Sequence, residues 1–214
     1  LFGIEMHGSL TATLKDTGLE IVDTKSYPLG VKDLSPVLKG FKSAGVDVFL
    51  GLTYPPDNIL AASQAKEVDF NPAVYMAAVG TAFPFYRDRF KGAEGVSGIA
   101  GWNPKMKYPG AREYYEAHVK KHQKEPDRWA SAFAYASLQI LERCVGEVGL
   151  DRKRVKEMID ATEFQTVAGP IKFVKGVNVS TPGMVGQWQK GEFEIVWPKS
   201  IATATAVVPK PAWA

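Results

Sequence analysis

The stretch that decides the fold is residues 46–68, VDVFLGLTYPPDNILAASQAKEV. Residues 46–52 are an almost continuous apolar run, which is typical of a strand covered by helices on both faces. Pro55, Pro56 and Asp57 then open a helix, because proline at the first helical position and an acidic residue in the first turn favour a helix start. A strand followed directly by a helix predicts one unit of an α/β fold.

The same alternation extends to both sides of this stretch. Apolar runs at residues 19–22, 73–78 and 96–102 predict three more strands, while residues 4–14 and 33–45 have the apolar spacing of helices. Strict alternation predicts a parallel sheet with crossover helices. Because the pattern opens on a helix, we expect a strand upstream of residue 1.

The pattern changes after Asn103-Pro104, which predicts a boundary near residues 102–107. Three helical patterns follow in succession, and strand character returns at residues 167–174. A hairpin is then predicted across Gln189-Lys190-Gly191-Glu192, with glycine in the left-handed position. We expect the tail, residues 202–214, to wrap a surface of the protein. The three helical patterns are residues 109–123, 130–146 and 151–161.

Composition excludes several classes of protein. The chain has 214 residues, 45% hydrophobic, with a formal net charge of +3, so it lies far from the disordered class. Its basic residues are scattered and interleaved with acids, which disfavours a nucleic-acid partner. The single cysteine, Cys144, excludes an internal disulfide and a cysteine-based zinc cage, and its apolar surroundings in sequence predict a buried thiol.

The sequence lacks the motifs of nucleotide binding, nucleophilic catalysis and metal binding. The sequence contains neither G-x-G-x-x-G nor G-x-x-x-x-G-K-[ST], and the segment Gly95–Gly98 lacks the last glycine of a nucleophile elbow. His118 and His122 have the spacing of two metal ligands on a helix, but lysines surround them and no third ligand is evident. We therefore predict no catalytic residues, no metal, no cofactor and no enzymatic activity.

The turns after the strands have the composition of a binding pocket. Open α/β sheets bind ligands beyond the carboxyl ends of their strands. In this sequence, Thr53-Tyr54 follows one predicted strand and Val79-Gly80 follows the next. Phe2 starts the first helix and would follow the strand expected upstream of residue 1. Two aromatics, a hydroxyl and no formal charge predict a mostly apolar small-molecule pocket.

These residues resemble the type I periplasmic binding proteins of ABC importers, in the branch that binds leucine, isoleucine and valine. Each motif is weak alone, but six occur in the family's order over nearly the whole chain. They are Phe2-Gly3, Asp33-Leu34-Ser35 with Leu38-Lys39, residues 47–52 with Tyr54-Pro55 and Gln64-Ala65, Ala134-Tyr135-Ala136 with Leu141, residues 169–173, and residues 187–191.

The resemblance implies two Rossmann-like lobes, with parallel sheets flanked by helices and a ligand cleft between them. By order along the chain, residues 1–104 would be lobe 2 without its first strand, and residues 105–183 the C-terminal part of lobe 1. Residues 184–214 would be the return crossover to lobe 2 and the tail. The N-terminal half of lobe 1 would be absent from this chain.

The resemblance also implies ligand contacts. Phe2 corresponds to an aromatic that packs on the ligand, and Tyr54 to one that touches it from lobe 2. The family's amino-acid binders carry an acid where this chain has Ala78 or Val79. Thr53, Gly80 and Trp102 complete the predicted site, although Trp102 has a second interpretation, as an aromatic that packs the hinge.

The apolar residues Ala78 and Val79 make this turn unfavourable for binding an ammonium group. An ammonium group buried without a counter-charge loses several kcal/mol of compensation. We therefore hypothesise a carboxylate ligand that has an aromatic or apolar body and no α-amino group. The family holds the carboxylate through Ser/Thr hydroxyls and helix amides of lobe 1.

The function that the resemblance implies is ligand capture in the periplasm and delivery to the membrane subunits of an ABC permease, by a monomer. Two alternatives stay open. One is binding of a branched-chain amino acid or an amide. The other is a ligand-sensing regulatory module built on the same fold.

Overall fold

The computed structural model describes residues 2–213 and contains two sheets, each packed against helices. The helices are α1 (Phe2–Leu14), α2 (Ser35–Ser43), α3 (Pro55–Glu67), α4 (Pro84–Arg89), α5 (Ala111–His122), α6 (Ser131–Val148) and α7 (Arg152–Ala161). The strands are β1 (Val48–Gly51), β2 (Val74–Ala77), β3 (Ser97–Ala100), β4 (Glu163–Thr166), β5 (Gly169–Val174), β6 (Val177–Asn178), β7 (Met184–Gln189) and β8 (Glu192–Trp197). The larger sheet has five strands in the order β1-β2-β3-β7-β8 and the smaller has the order β4-β5-β6.

Three parallel strands form the part of the larger sheet that the alternating sequence predicts. Val48 pairs with Val74 and Met76 with Ser97, so β1, β2 and β3 run in the same direction. Helices α2 and α3 and the aromatic rings of Phe49, Phe70 and Tyr75 pack together in one core. The prediction of an α/β fold is confirmed, and the carboxyl ends of the three strands lie at one edge.

The predicted hairpin is also confirmed, and it joins the larger sheet. Strands β7 and β8 are connected by Lys190 and Gly191, whose φ angles are 52° and 81°. Two consecutive positive φ angles define the turn type whose twist matches the flanking strands. Gly98 of β3 pairs with Gly186 of β7 in antiparallel orientation, so residues from the end of the chain complete the sheet of its first hundred residues.

Helices α5, α6 and α7 pack with the antiparallel sheet β4-β5-β6 around a separate core. Trp102, Phe164, Ile171 and Cys144 are buried in it, as predicted for the cysteine. Asp151 caps α7 by accepting hydrogen bonds from two backbone amides. Strand β4 was not predicted, because its four residues directly follow the last turn of α7.

The prediction of a strand at residues 19–22 was wrong, and the prediction for residues 46–52 was wrong in part. Residues 19–22 are irregular and exposed rather than a strand, and residues 46–52 are not covered on both faces, since Val48 of β1 is 39% exposed. Within residues 2–213, β1 pairs only with β2. A strand requires a hydrogen-bonded neighbour, and residues 19–22 have no neighbouring strand in the described chain.

The C-terminal segment packs along the larger sheet, which agrees with the expectation that residues 202–214 wrap a surface of the protein; residue 214 lies outside the described residues. The Gln187 side chain donates to the Val207 carbonyl and accepts from its amide, and the Lys210 amide donates to the Ala73 carbonyl. Trp213 Nε1 donates to the Phe70 carbonyl at 2.8 Å. In the part of the chain that is described, no helix is long and apolar enough to cross a membrane.

The Lys210 side chain gives this segment a testable pH dependence. It is 4% exposed, and burial lowers its pKa from 10.5 to about 8. Its Nζ lies 3.4 Å from the Trp213 ring centroid, which stabilises the charged form and opposes this effect. The unfolded chain therefore takes up the proton at a higher pH than the folded one, and the free energy of unfolding rises between pH 8 and 10.5.

We expect Lys210→Met to remove this rise, which is at most on the order of 2–3 kcal/mol. Urea unfolding at pH 8 and pH 10.5 measures it. Lys120→Met, at an exposed lysine of α5, serves as the control and should keep the wild-type slope. A slope that is equal in the wild type and in Lys210→Met would contradict the assignment.

Candidate functional site

Phe2 at the start of α1 and Tyr54 in the turn after β1 meet beyond the carboxyl end of β1. The rings of Phe2 and Tyr54 lie 5.5 Å apart at an interplanar angle of 34°. Gly3 of α1 approaches the Leu52 carbonyl oxygen, with a distance of 3.6 Å from the place where a Cβ would stand. Tyr54 is the residue before the first turn of α3, and Pro55 and Pro56 start that helix. The start of α1 and the start of α3 thus form one aromatic surface.

The turn after β2 packs tightly against the start of α3. Residues Val79–Ala82 form a 3₁₀ turn, and the Ala78 amide donates to the Gly51 carbonyl at 2.9 Å. A Cβ on Gly80 would lie 2.2 Å from Asn58 Oδ1 and 2.6 Å from Pro55 Cα. Only glycine allows this approach, so Gly80 permits the turn after β2 to pack against the start of α3.

The predicted site residues differ in their access to solvent. Tyr54 is 48% exposed, and Phe2, Thr53 and Val79 are partly exposed. Ala78 and Gly80 are buried. The first four therefore form a surface that a ligand can reach, while Ala78 and Gly80 support it from behind.

Trp102 lies apart from this surface, in the core that α5, α6 and β5 share. It is completely buried, its Nε1 donates to the Val167 carbonyl at 2.9 Å, and its ring lies 5.4 Å from that of Tyr114. This position agrees with the interpretation of Trp102 as a packing aromatic. Its contact with a ligand stays a prediction, and it would require a change of conformation.

Sequence reasoning missed a group of polar side chains behind the aromatic pair. Asn58 is completely buried, and its Nδ2 donates to Thr53 Oγ1. Asn58 Oδ1 is buried without a hydrogen-bond partner, and the buried Tyr27 hydroxyl lies beside Thr53 and Asp57. With Asp57, these residues form what we call the polar floor: Tyr27, Thr53, Asp57 and Asn58. The buried face of α3 contains Asn58, Ala61, Ala62 and Ala65, a helical spacing that could have identified Asn58.

The surroundings of Tyr27 in the polar floor keep its hydroxyl neutral. Burial, together with the negative charge of Asp57, raises the pKa of Tyr27 to about 12, although the Thr53 hydroxyl opposes the shift. Tyr27 therefore stays protonated at physiological pH. Asp57 occupies the first turn of α3, where the helix dipole stabilises its charge.

The histidine pair of α5 lies outside this site. The His118 and His122 rings are 4.6 Å apart, and partial burial lowers the pKa of His118, as does the neighbouring His122, with Asp127 opposing. Among residues 2–213, no group of three or more potential metal-ligating side chains is present.

Gly80→Ala tests the packing of the turn. The added methyl group would collide with Asn58 and Pro55, and we expect the free energy of unfolding to fall by roughly 1–3 kcal/mol. Gly8→Ala in α1 is the control, because no atom lies within 4 Å of its Cβ position, and it should be neutral or slightly stabilising. Equal stability of the two variants in urea unfolding would contradict the close approach.

Comparison with known proteins identifies the family. Residues 1–192 match the periplasmic binding protein family. The Leu/Ile/Val-binding protein homolog 7 of Brucella abortus is 29% identical in an alignment of 209 positions that covers 92% of this chain and 52% of that protein. The chain thus spans about half the length of this relative.

Solved structures show the same fold. The leucine-binding protein LivK of Thermotoga maritima superposes with a TM-score of 0.77 at 20% identity, over 91% of this chain and 56% of that one. An ABC transporter solute-binding protein of R. palustris in complex with benzoate superposes with a TM-score of 0.78 at 14% identity, over 97% and 56%. The resemblance found in the sequence is confirmed: the chain belongs to the periplasmic binding protein family.

Proposed function

We propose that the protein is the extracytoplasmic solute-binding component of an ABC importer. It captures a small carboxylate with an aromatic or apolar body and no α-amino group, and delivers it to the membrane subunits of a permease. Family membership supports the class of function. The names of relatives support binding of small acids, since one is a Leu/Ile/Val-binding protein homolog and another structure holds benzoate.

The observation that carries the ligand class is the aromatic pair beside an uncharged turn. Tyr54 presents about half of its surface next to Phe2, and aromatic rings stack on flat apolar groups. In the turn that follows β2, residues 78–82 are Ala, Val, Gly, Thr and Ala, so no side chain there can pair with an ammonium. An aromatic acid satisfies both features.

The assignment of lobes also belongs to this proposal. Residues 1–104 and 184–214 form lobe 2 and residues 105–183 the C-terminal part of lobe 1, while the carboxylate anchor lies in the other part of lobe 1. Helix α6 supports this assignment, because Tyr135, Leu138 and Leu141 are 46%, 64% and 45% exposed on a face opposite its buried one. An apolar stripe of this kind fits a further packing partner. The chain's match to about half of its relatives' length leaves room for one.

The remaining features of the proposal follow from the class of function. The protein acts as a monomer in the periplasm, by closing two lobes on the ligand, and performs no enzymatic reaction. A regulatory module on the same fold would bind ligand in the same cleft, but would signal through a partner.

One observation favours a second candidate, an amino-acid ligand. The Asp57 amide donates to the Tyr54 carbonyl at 3.1 Å in the first turn of α3, so one carboxylate does stand close to the aromatic pair. Asp57 would then replace the missing acid of the turn after β2 as the partner of an α-ammonium.

Calorimetry on the full-length protein separates the two candidates. We expect benzoate to bind and L-leucine to bind at least about 100-fold more weakly, because several kcal/mol of ion pairing is missing for the ammonium. Tight leucine binding that Asp57→Asn abolishes would establish the amino-acid alternative instead.

Variants of the aromatic pair test the site itself. Tyr54→Ala and Phe2→Ala should each weaken benzoate binding roughly 10-fold, through lost stacking and apolar contact. Trp197→Ala is the matched control, because this ring is 55% exposed and lines a different groove together with residues 206–208. Benzoate affinity that is unchanged in both site variants would refute the site.

A further inference from the structure

The last two turns of helix α5 place two imidazole rings side by side. His118 and His122 are four residues apart and therefore lie on the same face of the helix. Their ring centroids are 4.6 Å apart at an interplanar angle of 46°. Two nitrogens that bind one transition-metal ion at about 2.0–2.1 Å, in neighbouring coordination positions, lie roughly 3 Å apart. Rings at the observed separation reach this distance by rotation about their side-chain bonds.

The ring nitrogens of this pair are available to a ligand. In the described part of the chain neither ring makes a hydrogen bond, whereas Nε2 of His7 lies 3.4 Å from Thr24 Oγ1. His122 is exposed and His118 is half-buried. The Tyr114 ring packs against that of His118 with centroids 5.9 Å apart, which keeps the imidazole on this face of the helix. Imidazole is the commonest metal ligand among protein side chains.

The electrostatics around the pair favour a cation in spite of the neighbouring lysines. The C-terminal end of a helix carries a partial negative charge, and His122 is the last residue of α5. Asp127 lies close enough to His118 to act on its pKa, so a carboxylate also stands near the pair. Lys120 is two positions from each histidine, on the opposite side of the helix. Lys121 is adjacent but exposed, so its flexible stem can carry the ammonium into solvent.

The protonation of His118 also suits metal binding. Partial burial lowers the pKa of this imidazole, as does the neighbouring His122, with Asp127 opposing. A histidine ligand must be neutral, so protons compete with the metal for the ring. Because the pKa is lowered, this competition is weak at neutral pH.

We propose that His118 and His122 form a two-ligand site for a transition-metal ion, with Cu²⁺ preferred, at the end of α5. Water completes the coordination shell, since no group of three metal-ligating side chains occurs among residues 2–213. The preference follows from the general order of affinities of divalent metals for nitrogen ligands. The sequence predicts no metal because no third ligand is evident, but two imidazoles on one helix chelate without one. The site lies apart from Phe2 and Tyr54 and does not rest on the proposed function.

Titration of the full-length protein with CuCl₂ tests the site. We expect His118→Gln and His122→Gln each to weaken Cu²⁺ binding at least about 10-fold by calorimetry, because a single imidazole replaces a chelating pair. Pulsed EPR should count two coordinated imidazoles in the wild type and one in each variant. The difference between wild type and variant is the readout, because it cancels binding at other positions. MgCl₂ should not compete, since Mg²⁺ prefers oxygen ligands.

His7→Gln is the matched control, because His7 is the third histidine of the chain and has no second one on its helix. It should bind Cu²⁺ as the wild type does. A wild type without Cu²⁺ binding, or equal affinities in the wild type and His122→Gln, overturns the inference. His122 is exposed, so this variant decides even if His118→Gln loses stability. Benzoate affinity should be equal in all of these proteins, and its measurement keeps the inference separate from the proposed function.

Discussion

The site depends on one constraint, the close approach of three chain segments at the carboxyl edge of the larger sheet. These segments are β3, the turn after β2 and the start of α3. Two glycines permit this approach. A Cβ on Gly98 would lie 1.6 Å from Thr81 Oγ1, and one on Gly80 would lie 2.2 Å from Asn58 Oδ1. Without these contacts the turn after β2 could not pack against the start of α3. The side chains of Phe2 and Tyr54 would then lose the packed turns that support them.

The parallel core of the fold could be predicted from the sequence because its signals are local. The apolar run that contains β1 is followed at once by the two prolines of α3, and the Lys190-Gly191 turn defines the last hairpin. The position of Tyr54 at one edge followed from topology, since parallel strands end on the same side of a sheet, and that of Phe2 from the expectation of a strand before the first helix.

The remaining features depend on contacts between residues far apart in sequence. Whether residues 19–22 form a strand depends on a neighbour to pair with, and apolar composition cannot reveal that neighbour. The burial of Trp102 depends on the Val167 carbonyl, 65 positions away. Asn58 is different, because its helical spacing with three buried alanines was visible in the sequence. It was missed because a polar residue at the start of a helix is usually interpreted as a solvated one.

We propose that the surface formed by Phe2 and Tyr54 recognises the body of an aromatic acid. A crystal structure of the full-length protein with benzoate tests this claim most directly. We expect the ligand ring at about 4.5–7 Å, centroid to centroid, from both Phe2 and Tyr54. A ligand bound away from these two residues would contradict the proposal.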